Sequence, residues 1–282
     1  MRRFFTLVAA GVLVAALAGP ATAAESSRPV EYLALGDSLA FGWVPPELGG
    51  NPFDPDGFVS YADYVAAGLR DDLTNASCPG ETTSHFVDLN GVDNNCGLYR
   101  SVFDLHADYA GTQLEFMDAF LADHPKTRLV TIDIGTNDLW VLVHACGGAE
   151  NVPCIMGALP GFLATLGSNL DLIYGHLRVN DGYVHKLVAL TTYSNDYANP
   201  LLTGVVAAMD QVVAAHTLAW GGIVADGFGA FAVASMPYGG SPCAAGLLLV
   251  KTASPLTCDD HASAAGHQLL AQTIIGALRA DD

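Results

Sequence analysis

Five short apolar runs separated by longer stretches of helical spacing constrain the fold more than any other feature of this chain. Residues 30–36 (V-E-Y-L-A-L-G), 129–135 (L-V-T-I-D-I-G) and 186–191 are nearly continuous apolar runs, and residues 73–77 and 222–226 are shorter ones. Runs of this length suit strands buried on both faces. Between and after them, residues 58–71, 113–123, 158–179, 200–220 and 262–278 carry apolar side chains at helical spacing. Pro160 is expected to delay the start of the third helix, and Gly221 and Gly222 to stop the fourth. Strands alternating with helices predict an α/β architecture, a parallel sheet covered on both faces. Ligand sites in such sheets lie beyond the carboxyl ends of the strands. The residues just after each strand are therefore the place to look for chemistry.

The first residues read as an export signal rather than as part of the fold. Arg2 and Arg3 precede an apolar run over residues 4–18, Gly19 and Pro20 break it, and Ala21, Thr22 and Ala23 supply a small-x-small cleavage pattern. Residues 1–24 are expected to be a cleaved signal peptide and residues 25–282 a single secreted domain. The alternative, a membrane anchor, needs about 18 apolar residues, and no second run of that length follows, so no stable span is expected. Without Arg2 and Arg3 the chain has 9 basic and 29 acidic residues, a net charge of about −20. Such a field repels phosphate backbones, which argues against nucleic-acid binding. An even count of six cysteines in an exported chain reads as a disulfide framework with 15 possible pairings. They fall in three local couples, Cys78–Cys96, Cys146–Cys154 and Cys243–Cys258. Zinc would need tighter clusters, so no metal site is expected.

Four positions after the strands can carry chemistry. Ser38 follows the first strand in Gly36-Asp37-Ser38-Leu39, where a serine is either an exposed nucleophile or a helix cap. Gly80 follows the second, where a glycine lets a backbone N–H approach a reacting oxygen or simply makes a turn. Asn137 follows the third in Gly135-Thr136-Asn137-Asp138, as an amide donor or the cap of the next helix. His261 stands before the last helix, where an imidazole can reach a serine across the sheet edge. Each signal alone is weak, and the specificity lies in their joint order.

That order resembles the SGNH (GDSL) hydrolase superfamily, whose four motif blocks carry a serine, a glycine, an asparagine and a histidine. Ser38 lies in G-D-S-L, Gly80 in N-x-x-x-x-G-x-T-T, Asn137 in G-T-N-D and His261 in H-x-x-x-x-G-H. With the signal and the cysteine couples, the chain is most similar to secreted actinobacterial lipases and esterases. The resemblance implies a flavodoxin-like three-layer α/β/α sandwich with five parallel strands. It implies Ser38 as nucleophile, His261 as general base and an oxyanion hole of Ser38 N–H, Gly80 N–H and the Asn137 side chain, with no cofactor. The family usually has an aspartate three residues before the histidine. Here that residue is Cys258, so either Asp259 or a backbone carbonyl orients His261. His267 is read as structural.

The expected substrates are small-molecule or lipid acyl esters, met by a monomer outside the cell. A carbohydrate acetyl esterase is the alternative on the same machinery, and a non-catalytic binding protein a more distant one. Residues 41–57 and 81–111 are long and irregular, and Phe41, Trp43, Pro45, Pro46, Phe53, Phe58 and Trp140 are candidates for an acyl pocket.

Overall fold

The computed structural model describes residues 30–281. The basic start, apolar run and cleavage pattern lie outside them. Strands β1 (Glu31–Gly36), β2 (Asp72–Asn75), β3 (Leu129–Asp133), β4 (Lys186–Leu190) and β5 (Ile223–Ala225) form one sheet in the order β2-β1-β3-β4-β5. Every pairing is parallel, as the five apolar runs predict. The helices are α1 (Ser38–Phe41), α2 (Tyr61–Leu69), α3 (Thr83–Val87), α4 (Cys96–Arg100), α5 (Gln113–Asp123), α6 (Thr136–Ala145), α7 (Val152–Gly175), α8 (Pro200–Ala219), α9 (Gly227–Ser235) and α10 (Ala264–Asp281).

The strands are apolar on both sides because both sides are covered. Leu33, Leu35, Val130, Ile132, Leu187 and Ala189 point into one buried cluster with side chains of α5, α7 and α8. Their neighbours Tyr32, Ala34, Leu129, Val188 and Leu190 point into a second cluster with α2 and α10. Successive residues of a strand face opposite ways, so one continuous run fills two cores. Capping boxes fix two helix starts: Ser60 with Asp63 opens α2, and Thr112 with Glu115 opens α5. The apolar α8 is long enough to cross a membrane, but Val205, Val206, Met209 and Val213 are buried in the first core.

Two features differ from expectation. Pro160 does not delay α7, which begins at Val152 and contains it. A proline cannot donate to the carbonyl four residues back. Here that residue is Met156, 45% exposed, where water can satisfy the carbonyl. The second is an antiparallel hairpin, β6 (Leu248–Ala253) and β7 (Leu256–Ala262), between α9 and α10. Residues 247–250 (L-L-L-V) are apolar, but the rest of the hairpin mixes polar and apolar residues with no strict alternation, so the sequence does not announce a pair of strands. The cysteine sulfurs pair as Cys78–Cys96, Cys146–Cys154 and Cys243–Cys258. The third ties the hairpin to the loop before it.

Candidate active site

β1 and β3 are adjacent at the centre of the sheet, so the turns after them meet. Ser38 begins α1, and the cap of that helix is Asp37, whose Oδ1 accepts the Leu39 N–H at 2.9 Å. The serine hydroxyl is thus left free of the capping role. Its Oγ lies 3.1 Å from His261 Nε2. His261 comes from β7, 223 residues away, and the hairpin swings it over the sheet edge.

The other imidazole nitrogen faces carboxylates. His261 Nδ1 is 2.5 Å from Asp259 Oδ1 and 3.3 Å from Asp260 Oδ1. The second Asp259 oxygen takes an ion pair from Lys251 Nζ at 2.7 Å. Among the described residues no backbone carbonyl bonds to Nδ1. Burial works against the Asp259 charge, but the hydrogen bonds from His261 and Lys251 hold its carboxyl well below the usual range. Burial alone would likewise lower the His261 pKa. The Asp259 hydrogen bond and the charges of Asp260 and Asp259 outweigh it, so the imidazolium stands above its ordinary 6.5.

Gly80 and Asn137 converge on the same point. Gly80 has φ +84°, and a Cβ there would lie 2.0 Å from the Asn94 carbonyl oxygen. Only glycine fits, and Asn94 in turn donates its N–H to the Gly80 carbonyl at 2.9 Å. Gly80→Ala is expected to destabilise the fold by about 1–3 kcal/mol through this strained backbone, read by thermal denaturation. Asn137, near the start of α6, is held at both ends of its amide. Its Nδ2 donates to Asp37 Oδ2 at 3.0 Å, and its Oδ1 accepts from Asn94 Nδ2 at 2.8 Å. One Nδ2 hydrogen is thereby left for a ligand. Among the described residues the Ser38 and Gly80 N–H groups have no acceptor. Three donors of this kind can hold a developing oxyanion.

Asp37 itself rests on Asp133, the last residue of β3, and the two carboxyls are hydrogen-bonded. The Tyr61 hydroxyl donates to Asp133 Oδ1 at 2.5 Å. Burial pushes Asp37 up to about 6 and Asp133 well above the carboxylate range. Asp133 is raised further than Asp37 because it is buried beside that second carboxyl, and Asp37 is the one that accepts the Asn137 amide and so orients it. His267 is buried, accepts the Tyr61 N–H at 3.2 Å, and is pushed down to about 3 by burial. Its role here is packing, as the sequence indicates.

A cavity of about 820 Å³ opens over Ser38 and His261. Trp43, Pro46 and Trp140 line it, as do Tyr99, Phe103 and Met209. Phe41 and Phe58 are buried and Pro45 lies below the surface, outside the lining, whereas Phe53 is exposed. Four contributors escaped sequence reasoning: Asn94, Lys251, Asp133 and Tyr61. Asp37 stands in plain view inside the G-D-S-L block, but its hold on Asn137 is visible only in the folded site.

The sequence profile of the GDSL-like lipase/acylhydrolase family matches residues 34–269, most of the chain. The chain belongs to this family. Solved structures agree on the fold. A phospholipase A1 from Streptomyces albidoflavus is 19% identical, with a TM-score of 0.57 over 89% of this chain and 100% of its own. An acetylxylan esterase from Geobacillus stearothermophilus is 17% identical, with a TM-score of 0.52 over 88% of this chain and 94% of its own. An alpha/beta hydrolase enzyme from the metagenome of Lake Arreo is 16% identical, with a TM-score of 0.54 over 90% and 96%. A search of the curated proteins finds no significant match. Membership of the GDSL-like lipase/acylhydrolase family makes the protein a carboxylic ester hydrolase, and the solved neighbours share the α/β/α fold that its sequence predicts.

Proposed function

We propose that the protein is a secreted esterase of lipid-like acyl esters, working through an acyl-enzyme on Ser38. The observation that carries this is the relay Ser38–His261–Asp259, with contacts of 3.1 and 2.5 Å. His261 Nε2 takes the hydroxyl proton as Ser38 Oγ bonds to the ester carbonyl carbon. The carbonyl oxygen becomes an oxyanion held by Ser38 N–H, Gly80 N–H and Asn137 Nδ2. As the C–O bond breaks, His261 returns the proton to the departing alcohol. Water then repeats the sequence on the acyl-enzyme, with His261 again as base and the free acid leaving. Asp259 holds the imidazole in the required tautomer and steadies its positive form. The signal-like start and three disulfides support export.

A fluorophosphonate probe tests the nucleophile: it is expected to label the folded protein on Ser38 alone. Failure to label would return the chain to a non-catalytic role. The alcohol and acyl parts of the substrate are read from the cavity walls. Pro79, Gly80, Leu98 and Phe103 belong to the β2 side of the site, and Leu202, Val206 and Met209 to the β4 side. Apolar surface on both sides of the nucleophile favours an ester with carbon chains on both sides. Nitrophenyl butyrate and longer esters are expected to be better substrates than nitrophenyl acetate. Activity confined to acetate and acetylated xylan would favour the carbohydrate reading instead.

The pH dependence follows from His261. Protonated imidazole cannot accept the serine proton, so kcat/KM rises as His261 loses its proton in the free enzyme. The neighbouring carboxylates favour the charged form and raise its pKa, so higher pH is needed to reach the active form. The midpoint of the acid limb is expected above 6.5, and a midpoint below it would contradict this electrostatic account.

A further inference from the structure

The mouth of the cavity carries apolar side chains that no other described residue covers. Phe53 is 73% exposed, Leu98 65% and Val102 56%. Leu98 lies in α4 and Val102 in the turn just after it. Both also line the cavity, together with Pro52. Phe53 does not line it but packs edge-on against Phe103, which does, with ring centroids 5.0 Å apart. From Phe103 the rings continue to Tyr99 at 5.1 Å and from Tyr99 to Trp43 at 5.3 Å. The Trp43 N–H bonds to the Ser38 carbonyl at 3.0 Å. Trp43 and Ser38 line the same cavity, so one aromatic run leads from open solvent into the space over the nucleophile.

The loop that carries Phe53 is built rather than slack. Its N–H is tied to Asn51 Oδ1 at 3.3 Å, and Asp54 N–H closes a turn onto the Asn51 carbonyl at 3.0 Å. Exposed apolar groups held in place and framed by polar residues mark interaction surfaces. Three side chains without a hydrogen-bonding atom do not suit a sugar, whose hydroxyls need partners around any stacking ring.

The charges of the same segments narrow the partner. Residues 43–60 and 92–108 contain six acids, Glu47, Asp54, Asp56, Asp93, Asp104 and Asp108, against one strong base. That base, Arg100, is turned inward, bonding to the Tyr109 carbonyl at 2.5 Å and lying over its ring. An anionic membrane would be repelled at the rim. A surface without net charge would not.

We infer that the rim of Phe53, Leu98 and Val102 seats the protein on a lipid surface of zwitterionic head groups, with the cavity mouth facing the acyl chains. This rests on the esterase reading above and specifies where its substrate is met. Apolar side chains gain by leaving water, and the aromatic run then offers a continuous apolar path for a chain moving from the lipid toward Ser38.

The test is flotation of the full secreted chain with vesicles of dioleoylphosphatidylcholine or dioleoylphosphatidylglycerol, alongside Phe53→Ser. Phe53 is exposed and outside the cavity, so the variant is expected to fold and to hydrolyse dissolved nitrophenyl butyrate at the parent rate. It is expected to lose about tenfold in partitioning onto phosphatidylcholine, from one phenyl ring no longer buried. Phosphatidylglycerol is expected to hold the parent only at high salt. Three results would overturn the inference: no flotation of the parent with phosphatidylcholine, flotation unchanged by Phe53→Ser, or tighter flotation with phosphatidylglycerol at low salt. A dimer in light scattering that Phe53→Ser dissolves would also overturn it, by assigning the rim to a second copy. A parent that floats but does not hydrolyse nitrophenyl butyrate would support the docking surface and remove the esterase reading.

Discussion

Ser38→Ala is expected to lower kcat on nitrophenyl butyrate by about 10⁴- to 10⁶-fold, while the protein stays folded. The size of the loss follows from geometry. Ser38 Oγ is 3.1 Å from His261 Nε2, and among the described residues no other hydroxyl is bonded to that nitrogen. Water can enter the vacated space and use His261 as base, but it lacks the fixed approach that the α1 turn gives the serine. The fold should not suffer, because Asp37 rather than Ser38 caps α1. Alanine is also a better helix former than serine. Circular dichroism and thermal denaturation check the fold, and a saturating substrate series checks kcat. A variant with a tenth of the parent activity would remove Ser38 from the mechanism. Unchanged melting with activity lost would separate chemistry from structure.

The sheet was legible because a strand buried on both faces needs an apolar residue at every position. Residues 30–36 and 129–135 come close to that demand, with Glu31, Thr131 and Asp133 the polar exceptions, and β1 and β3 form within them. The placing of Ser38 and Asn137 followed from topology: residues after adjacent central strands must meet. The hairpin β6–β7 was illegible for a different reason. After the short apolar run 247–250 its residues follow no strict alternation, and polar ones such as Lys251, Thr252 and Asp259 read as loop although Asp259 is buried. With the hairpin went Lys251, whose charge matters only once β6 lies beside β7. Asp133 was hidden inside an apolar run, where one acid looks like a tolerated exception. Its meaning depends on Asp37 and Tyr61, which come from different elements. Asn94 sits in the irregular segment 81–111, where no period marks a residue as special. Local order was readable, and contacts between distant exposed elements were not.

Asp259→Asn is expected to lower kcat by about 10²- to 10⁴-fold, with KM little changed. An aspartate oxygen can only accept, so it fixes the proton on Nδ1 and leaves Nε2 bare to face Ser38. An asparagine can turn its NH₂ toward Nδ1 and fix the opposite, unproductive tautomer. Lys251 does not oppose the change strongly: its side chain is 46% exposed and can be solvated once its partner is neutral. Asp260 sets the lower bound on the effect. Its Oδ1 already lies 3.3 Å from Nδ1, close enough to take over part of the bond. Asp260→Asn alone is therefore expected to cost little, and the double variant more than the two single losses combined. The pH profile gives a second readout. Removing a carboxylate that favours imidazolium lowers the His261 pKa, so the acid limb moves to lower pH even as the plateau falls. A structural lesion would lower the plateau without moving the limb. If Asp260→Asn proves the more damaging change, the orienting carboxylate belongs one residue nearer the histidine. If neither matters, orientation must come from the backbone of β7, and the close Asp259–His261 contact has no catalytic role.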